Sequence, residues 1–243
     1  MSNAMGKIYG IGVGPGDPEL LTVKAVRLIR ECDVIGIPAK DKDSCTAYRI
    51  ARNAVPEIDA KPVVAVPVPM TMDKERLNDA YDDGSRALME QLQEGRSIAF
   101  LNLGDPTIYA SYMELHRRIT EAGFQSELIS GVPSFCAVAA AVGIPLGIGA
   151  EAIHILPGQC SVEKLVAEDG TRVLMKSGGR VGEIKECLLR MEEGKGISVC
   201  AVANCGMENQ VIYSDVRELD EQSGYFTTIL VTQNRDSEGR WRR

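Results

Sequence analysis

Three short stretches hold the residues whose types and spacing could do chemistry. Gly10-Ile11-Gly12-Val13-Gly14-Pro15-Gly16-Asp17-Pro18 sets four glycines and two prolines where an apolar run meets a helix. Leu103-Gly104-Asp105-Pro106 echoes it, and Ser130-Gly131-Val132-Pro133-Ser134 forms a third turn. Glycine admits positive φ and close approach while proline stiffens a turn, so such loops suit the presentation of main-chain N–H groups to a ligand. The ligand is not a dinucleotide of the G-x-G-x-x-G kind, because the sixth position from Gly10 is Pro15 and no other register satisfies the pattern. Asp33 stands at a tempting distance, but it opens its strand rather than closing it and would not reach a ribose. No Gly-Lys-Ser or Gly-Lys-Thr occurs, which excludes a P-loop. Asp17, Glu19 and Asp105 would repel a polyanion. A zwitterionic or cationic small molecule is tolerated, its carboxylate on N–H groups and its positive centre facing carbonyls or carboxylates. S-Adenosylmethionine meets that description, and a plain turn with no ligand is the alternative.

The loops need strands and helices to hold them. Lys7 to Val13 is a β-branched apolar run, and Thr22 to Arg30 places Val23, Val26, Leu28 and Ile29 at mainly helical spacing. Asp33–Ile37 reads as a second strand, and Pro62–Val68 as a third that Pro67 and Pro69 confine to an edge or a strand end. The spacing of Leu77, Tyr81, Leu88 and Leu92 predicts a helix from Asp73 to Gln93, closed by Gly95. Arg96–Leu103 is a strand running into Gly104-Asp105-Pro106, followed by a helix through Tyr112, Leu115 and Ile119. Phe124–Ile129 is a strand and Phe135–Val142 a small-residue helix. This alternation predicts an α/β fold with a mostly parallel sheet whose working loops sit at the carboxyl ends of the strands. Runs at Ala152–Leu156, Arg172–Lys176, Ile197–Ala203, Gln210–Ser214 and Tyr225–Thr232 alternate with helices only at first, which predicts a mixed sheet in the second half.

A chain of 243 residues has room for two α/β domains, expected at 5–122 and 123–234, with residues 1–4 an expression scar and 235–243 a polar tail. Hydrophobic residues at 44% and charged residues at 25% exclude disordered and fibrous classes. No run reaches the roughly 18 apolar residues of a membrane span and no signal pattern opens the chain, so the cytoplasm is the expected location. A net charge of −7 argues against a nucleic-acid coat but leaves room for a local basic patch. Seven cysteines, at 32, 45, 136, 160, 187, 200 and 205, include no Cys-x-x-Cys pair and fit reduced thiols, with a metal or redox role at Cys200 and Cys205 as the alternative. With His116 and His154 as the only imidazoles, a protein-held metal is not expected.

At these motifs the chain resembles the tetrapyrrole (corrin/porphyrin) methylase family. Residues 12–25 match that family's Gly-x-Gly-Pro-Gly-Asp-Pro loop and the Leu-Leu-Thr-x-Lys-Ala that follows it; Gly104–Tyr109, Gly131–Ser134 and Gly143–Leu146 match three further motifs. The resemblance covers nearly all of residues 5–232. It is closest in kind to the branch that methylates carbon 20 of precorrin-2 or cobalt-factor II. Asn102 and Ala110 depart from that branch where hydroxyl residues are expected, and Thr107 where an apolar one is. The resemblance implies S-adenosylmethionine in a cleft between two α/β domains, a tetrapyrrole substrate and a homodimer. It implies that Pro15, Leu103, Gly104, Asp105, Ile108, Pro133 and Ser134 line one part of the cofactor site, and Lys176, Ala203, Gly206 and Thr228 the other. A different ring position, a diphthine or ribosomal-RNA relative, and a non-catalytic S-adenosylmethionine binder stay open as alternatives.

The implied reaction is attack of a ring meso carbon on the sulfonium methyl, which needs no covalent enzyme intermediate and rests on positioning. Asp105 or Tyr109 is the expected general base. Each site residue also has a plainer role: Asp105 could cap the following helix, Tyr109 and Tyr112 could be core, and Lys176 could snorkel from a strand end. His154 reads as a satisfied core histidine and His116 as part of a solvated helix face. For a substrate rich in carboxylates, Lys40, Lys42, Arg49 and Arg52 form the best cationic rim, with an ordinary solvated surface as the alternative.

Overall fold

The computed structural model describes residues 5–158, 169–177, 179–195 and 197–233. The expected scar at 1–4, the tail at 235–243 and Cys160 lie outside the described residues. The chain divides into two compact units, Met1–Pro133 and Ser134–Arg243.

The first unit holds β1 (Lys7–Gly12), α1 (Val23–Glu31), β2 (Val34–Ile37), α2 (Thr46–Ala54), β3 (Val63–Ala65), α3 (Lys74–Gln93), β4 (Ile98–Asn102), α4 (Tyr112–Glu121) and β5 (Gln125–Ile129). Its sheet runs β3-β2-β4-β1-β5 with every pairing parallel, as the alternation predicts. β5 pairs with β1, so the strand and the turn after it belong to the first unit, whereas the sequence reading put them in the second. Covering helices bury both faces: Ile11, Ile35 and Leu101 pack with Ile29 of α1 and Ile50 of α2, and Ile8, Val34 and Phe100 with Leu88 of α3 and Leu115 of α4. Burying a side chain of this size stabilises the fold by roughly 1.5–3 kcal/mol before the entropy of ordering is counted.

Local chemistry sets the ends. Thr22 Oγ1 accepts from Ala25 N to start α1, and Asp73 Oδ1 accepts from Glu75 N and Arg76 N to start α3. Gly95, at φ +81, closes α3 as expected. β3 is shorter than the predicted strand and lies at the edge, ending before Pro67. α2 is a helix the sequence reading passed over: its N-cap, Cys45, makes no side-chain cap bond, and half of its buried residues are alanine.

The second unit holds α5 (Ser134–Val142), β6 (Ile153–Pro157), β7 (Thr171–Met175), α6 (Val181–Lys195), β8 (Ile197–Ala203), β9 (Val211–Tyr213) and β10 (Thr227–Gln233). The sheet order is β6-β7-β10-β8-β9, with β6 parallel to β7 and the other pairings antiparallel, the mixed sheet that was predicted. Ile184 and Leu188 of α6 pack on Leu174, Ile229 and Val231. Because β10 runs opposite to both neighbours, the ends of β7 and β8 and the start of β10 share one edge.

Candidate functional site

In the first unit a parallel sheet puts every strand's carboxyl end on one edge, and the three glycine-bearing turns meet there. Gly14 N donates to Gly104 O at 3.3 Å, and Gly104 N donates back to Gly14 O at 2.8 Å. Both glycines hold positive φ, +75° and +71°. A Cβ at Gly12 would lie 2.6 Å from Gly104 O and from Gly131 N, and a Cβ at Gly131 only 2.3 Å from Gly104 O. The glycines therefore let the turns after β1, β4 and β5 pack backbone on backbone. Gly10 serves otherwise: it lies within β1 under the Tyr112 ring, where a Cβ would come within 2.0 Å of the ring.

Asp105 joins two of these turns. Its Oδ1 accepts from Thr107 N at 2.8 Å and Thr107 Oγ1 at 2.5 Å, while Oδ2 accepts from Gly131 N at 3.0 Å. The residue is 7% exposed, and both carboxylate oxygens are engaged. It does not cap α4, which starts at Tyr112; it caps the Pro106-Thr107 turn instead. The departure noted at Thr107 thus has a structural use, as a hydroxyl donor to the buried carboxylate. Asp17 caps the next segment, its Oδ1 accepting from Glu19 N at 2.8 Å.

Tyr109 stands in the turn before α4 at φ +50° and is 45% exposed, so it does not share a helix face with Tyr112. A left-handed backbone at a bulky residue costs roughly 1–2 kcal/mol, and such strain concentrates at functional turns. Leu103 and Ile108 are half-buried, and Pro15 is buried. Tyr112 is core, stacked on Phe100 with centroids 5.0 Å apart, its hydroxyl 2.9 Å from Ser126 Oγ. Burial drives its phenol pKa well above the usual value. His116 is not on a solvated face: its Nδ1 lies 2.7 Å from Ser126 Oγ, which draws the ring toward β5.

The shared edge of the second unit gathers the other expected residues. Ser134 Oγ is 3.2 Å from Thr228 Oγ1. Lys176, directly after β7, sits at φ +58° with its Nζ 5.7 Å from the Tyr225 ring centroid, a cation–π arrangement rather than simple snorkelling. Ala203 ends β8 and is buried; Gly206, at φ +77°, donates from N to Gln210 Oε1 at 2.7 Å. Asn204, at φ +52°, was not singled out in the sequence, although an Asn between a strand end and Gly206 is a left-handed signal. The hydroxyls of Thr227 and Ser177 are buried on this edge without a hydrogen-bond partner among the described residues. His154 Nε2 lies 2.9 Å from Asp169 O, so the histidine is satisfied as expected, but it is half-buried on the edge strand β6 rather than in the core.

The cationic rim separates. Lys42 Nζ donates to Asp59 O and Arg52 Nε to Asp59 Oδ2, while Arg49 turns to Thr46 Oγ1. Lys40 lines a cavity, together with Arg76. Among the described residues, no three His, Cys, Asp or Glu side chains are grouped to hold a metal, and no helix is long and apolar enough to cross a membrane.

The model of the tetrapyrrole (corrin/porphyrin) methylases matches residues 7–220. The chain belongs to that family. This tetrapyrrole methylase is 36% identical over 178 residues to a protein of Methanocaldococcus jannaschii named as a probable cobalt-precorrin-2 C(20)-methyltransferase, covering 73% of this chain and 75% of that one. It is 31% identical over 237 residues to a precorrin-2 C(20)-methyltransferase of Sinorhizobium, covering 93% and 95%. Its fold matches a Thermus thermophilus uroporphyrin-III C-methyltransferase crystallised with S-adenosylhomocysteine, with a TM-score of 0.66, 21% identity and coverage of 93% and 97%.

Proposed function

We propose that this tetrapyrrole methylase transfers the methyl group of S-adenosylmethionine to carbon 20 of precorrin-2 or cobalt-factor II in cobalamin biosynthesis. The observation that carries the reading is identity above 30% to two C(20)-methyltransferases, one of them along nearly the whole chain. The residues fit the cofactor. At Gly104 a Cβ would meet nothing nearer than Val132 O at 4.0 Å, so a ligand can approach that backbone, and Thr227 and Ser177 offer buried hydroxyls without partners among the described residues.

When bound, S-adenosylmethionine supplies a methyl group on a sulfonium, open to displacement by carbon. In this reading the residues the first unit offers to the cofactor are Pro15, Leu103, Gly104, Ile108 and Pro133, and those the second unit offers are Ser134, Lys176, Ala203, Gly206 and Thr228. The strained turns at Tyr109, Lys176 and Asn204 support that assignment, since such backbone persists where surrounding structure enforces a fixed geometry. Asp105 acts through Thr107 and Gly131, keeping the turns after β4 and β5 in register, so it is a positioning residue. Tyr109, half-exposed at the end of the same turn, relays the displaced ring proton to solvent through its hydroxyl. Fixing the two reacting molecules and excluding water supply the rate enhancement. The reading takes the protein to be a cytoplasmic homodimer.

Incubating purified protein with S-adenosylmethionine and precorrin-2 or cobalt-factor II tests it. One methyl gained by the ring for each S-adenosylhomocysteine released is the expected outcome. Tight S-adenosylhomocysteine binding without methylation of either tetrapyrrole contradicts it.

A further inference from the structure

A cavity of about 500 Å³ opens at the carboxyl ends of β2 and β3, within the ~300–1,000 Å³ range of small-molecule sites. Pro38 and Lys40 wall it after β2, Pro67 and Pro69 after β3, and Arg76 and Asp83 from α3. Three of the ten lining residues are prolines, which stiffen the wall. Asp83 is paired with Arg86 Nη1 at 2.9 Å. Lys40 and Arg76 have no ion-pair or hydrogen-bond partner for their charged ends among the described residues. Most other cations of this unit do: Lys7, Lys24, Arg27, Arg30, Arg52, Arg117 and Arg118 all face carboxylates within 4 Å. Past Pro69 the chain carries Met70 and Met72, each 84% exposed, an unusual amount of apolar surface beside two unpaired cations.

The placement in the sheet matters as much as the composition. β2 lies next to β4 and parallel to it, so the cavity and the Gly104–Tyr109 turn both lie at the carboxyl edge of one sheet. A macrocycle anchored in the cavity therefore lies on the same sheet edge as the turn that holds Asp105 and Tyr109. Two cations, a stiff apolar wall and flexible methionines suit a flat apolar ring with acid arms better than a small inorganic anion, which needs no apolar wall.

We propose that this cavity seats a carboxylate-bearing edge of the macrocyclic substrate, with Lys40 and Arg76 pairing its acid groups and Met70 and Met72 covering the adjoining ring face. The inference rests on the proposed C20 methylation and names the part of the chain that recognises the ring. It replaces the wider cationic rim by two residues, because Lys42 and Arg52 are already drawn to Asp59.

Lys40→Ala, Arg76→Ala and the double variant test it, with Arg27→Ala on α1 as a control for the loss of surface charge. Precorrin-2 binding is followed by optical titration, methylation by steady-state kinetics and S-adenosylhomocysteine affinity by calorimetry. Each single variant raises the precorrin-2 dissociation constant and KM about tenfold and the double variant about a hundredfold, the scale of lost charge-assisted hydrogen bonds. S-Adenosylhomocysteine affinity stays unchanged, Arg76→Lys recovers most of the loss, and the salt dependence of KM flattens in the double variant. If the double variant keeps the parent KM and dissociation constant while the parent methylates precorrin-2, the cavity assignment falls and the function stands. If it loses S-adenosylhomocysteine affinity in equal measure, the cavity assignment also falls. A parent protein that neither binds nor methylates precorrin-2 or its cobalt form overturns both.

Discussion

Asp105 spends both carboxylate oxygens on its neighbours, Thr107 and Gly131. A carboxylate so engaged fixes where two turns stand relative to each other. Thr107→Val keeps the β-branched shape and removes the hydroxyl donor. It weakens S-adenosylhomocysteine binding about five- to tenfold, the net worth of one such bond, while Thr107→Ser binds as the parent does. Calorimetry checks this, and unchanged affinity in Thr107→Val would reduce the residue to surface filler. The glycines and the aspartate are legible in the sequence as types. Their division of labour is not, since Gly10 makes room for Tyr112, Gly12 and Gly131 make room for each other and for the Gly104 carbonyl, and Gly104 itself faces open space at positive φ. That distinction depends on which turns the sheet brings together, and no local window holds it.

The elements explain where sequence reading succeeds and where it stops. The strands of both sheets are legible because apolar, β-branched runs end at glycine, proline or an acid, and the helices α1 and α3 because Thr22 and Asp73 cap an amphipathic face. α2 lacks a cap bond and is missed. β5 is found, yet placed in the wrong unit, because its partner β1 is more than a hundred residues away. What fastens this edge strand also sets an acid limit. Glu127 accepts from Lys24 Nζ at 2.7 Å and Lys7 Nζ at 2.6 Å, which pulls its pKa from 4.5 down to about 2. A carboxylate depressed in the folded state contributes stability in full above its unfolded pKa and loses it as pH falls through the folded one. The side chain is 36% exposed, so solvent screening holds the contribution to about 1 kcal/mol. Glu127→Gln should be less stable than the parent by that amount at pH 7, and the gap should close between pH 4.5 and 2. Denaturant unfolding across that range reads it, and a gap independent of pH would show that the ion pairs do not fasten β5.

At the scale of the molecule, an acidic chain with a net charge of −7 must take up a substrate rich in carboxylates. Long-range attraction cannot do this, so recognition rests on local charge such as Lys40 and Arg76. Strained turns in both units, at Tyr109, Lys176 and Asn204, sit on sheet edges that carry the expected cofactor residues. Family membership and the two-sheet architecture are legible in the motifs, whereas the choice of ring carbon depends on how the substrate is oriented. The most direct measurement is therefore the position of the transferred methyl. Protein supplied with S-adenosylmethionine carrying a ¹³C methyl group and with precorrin-2 or cobalt-factor II should place the label on carbon 20 of the isolated ring, seen by NMR. Label at any other ring carbon, or none on the ring, would contradict the account.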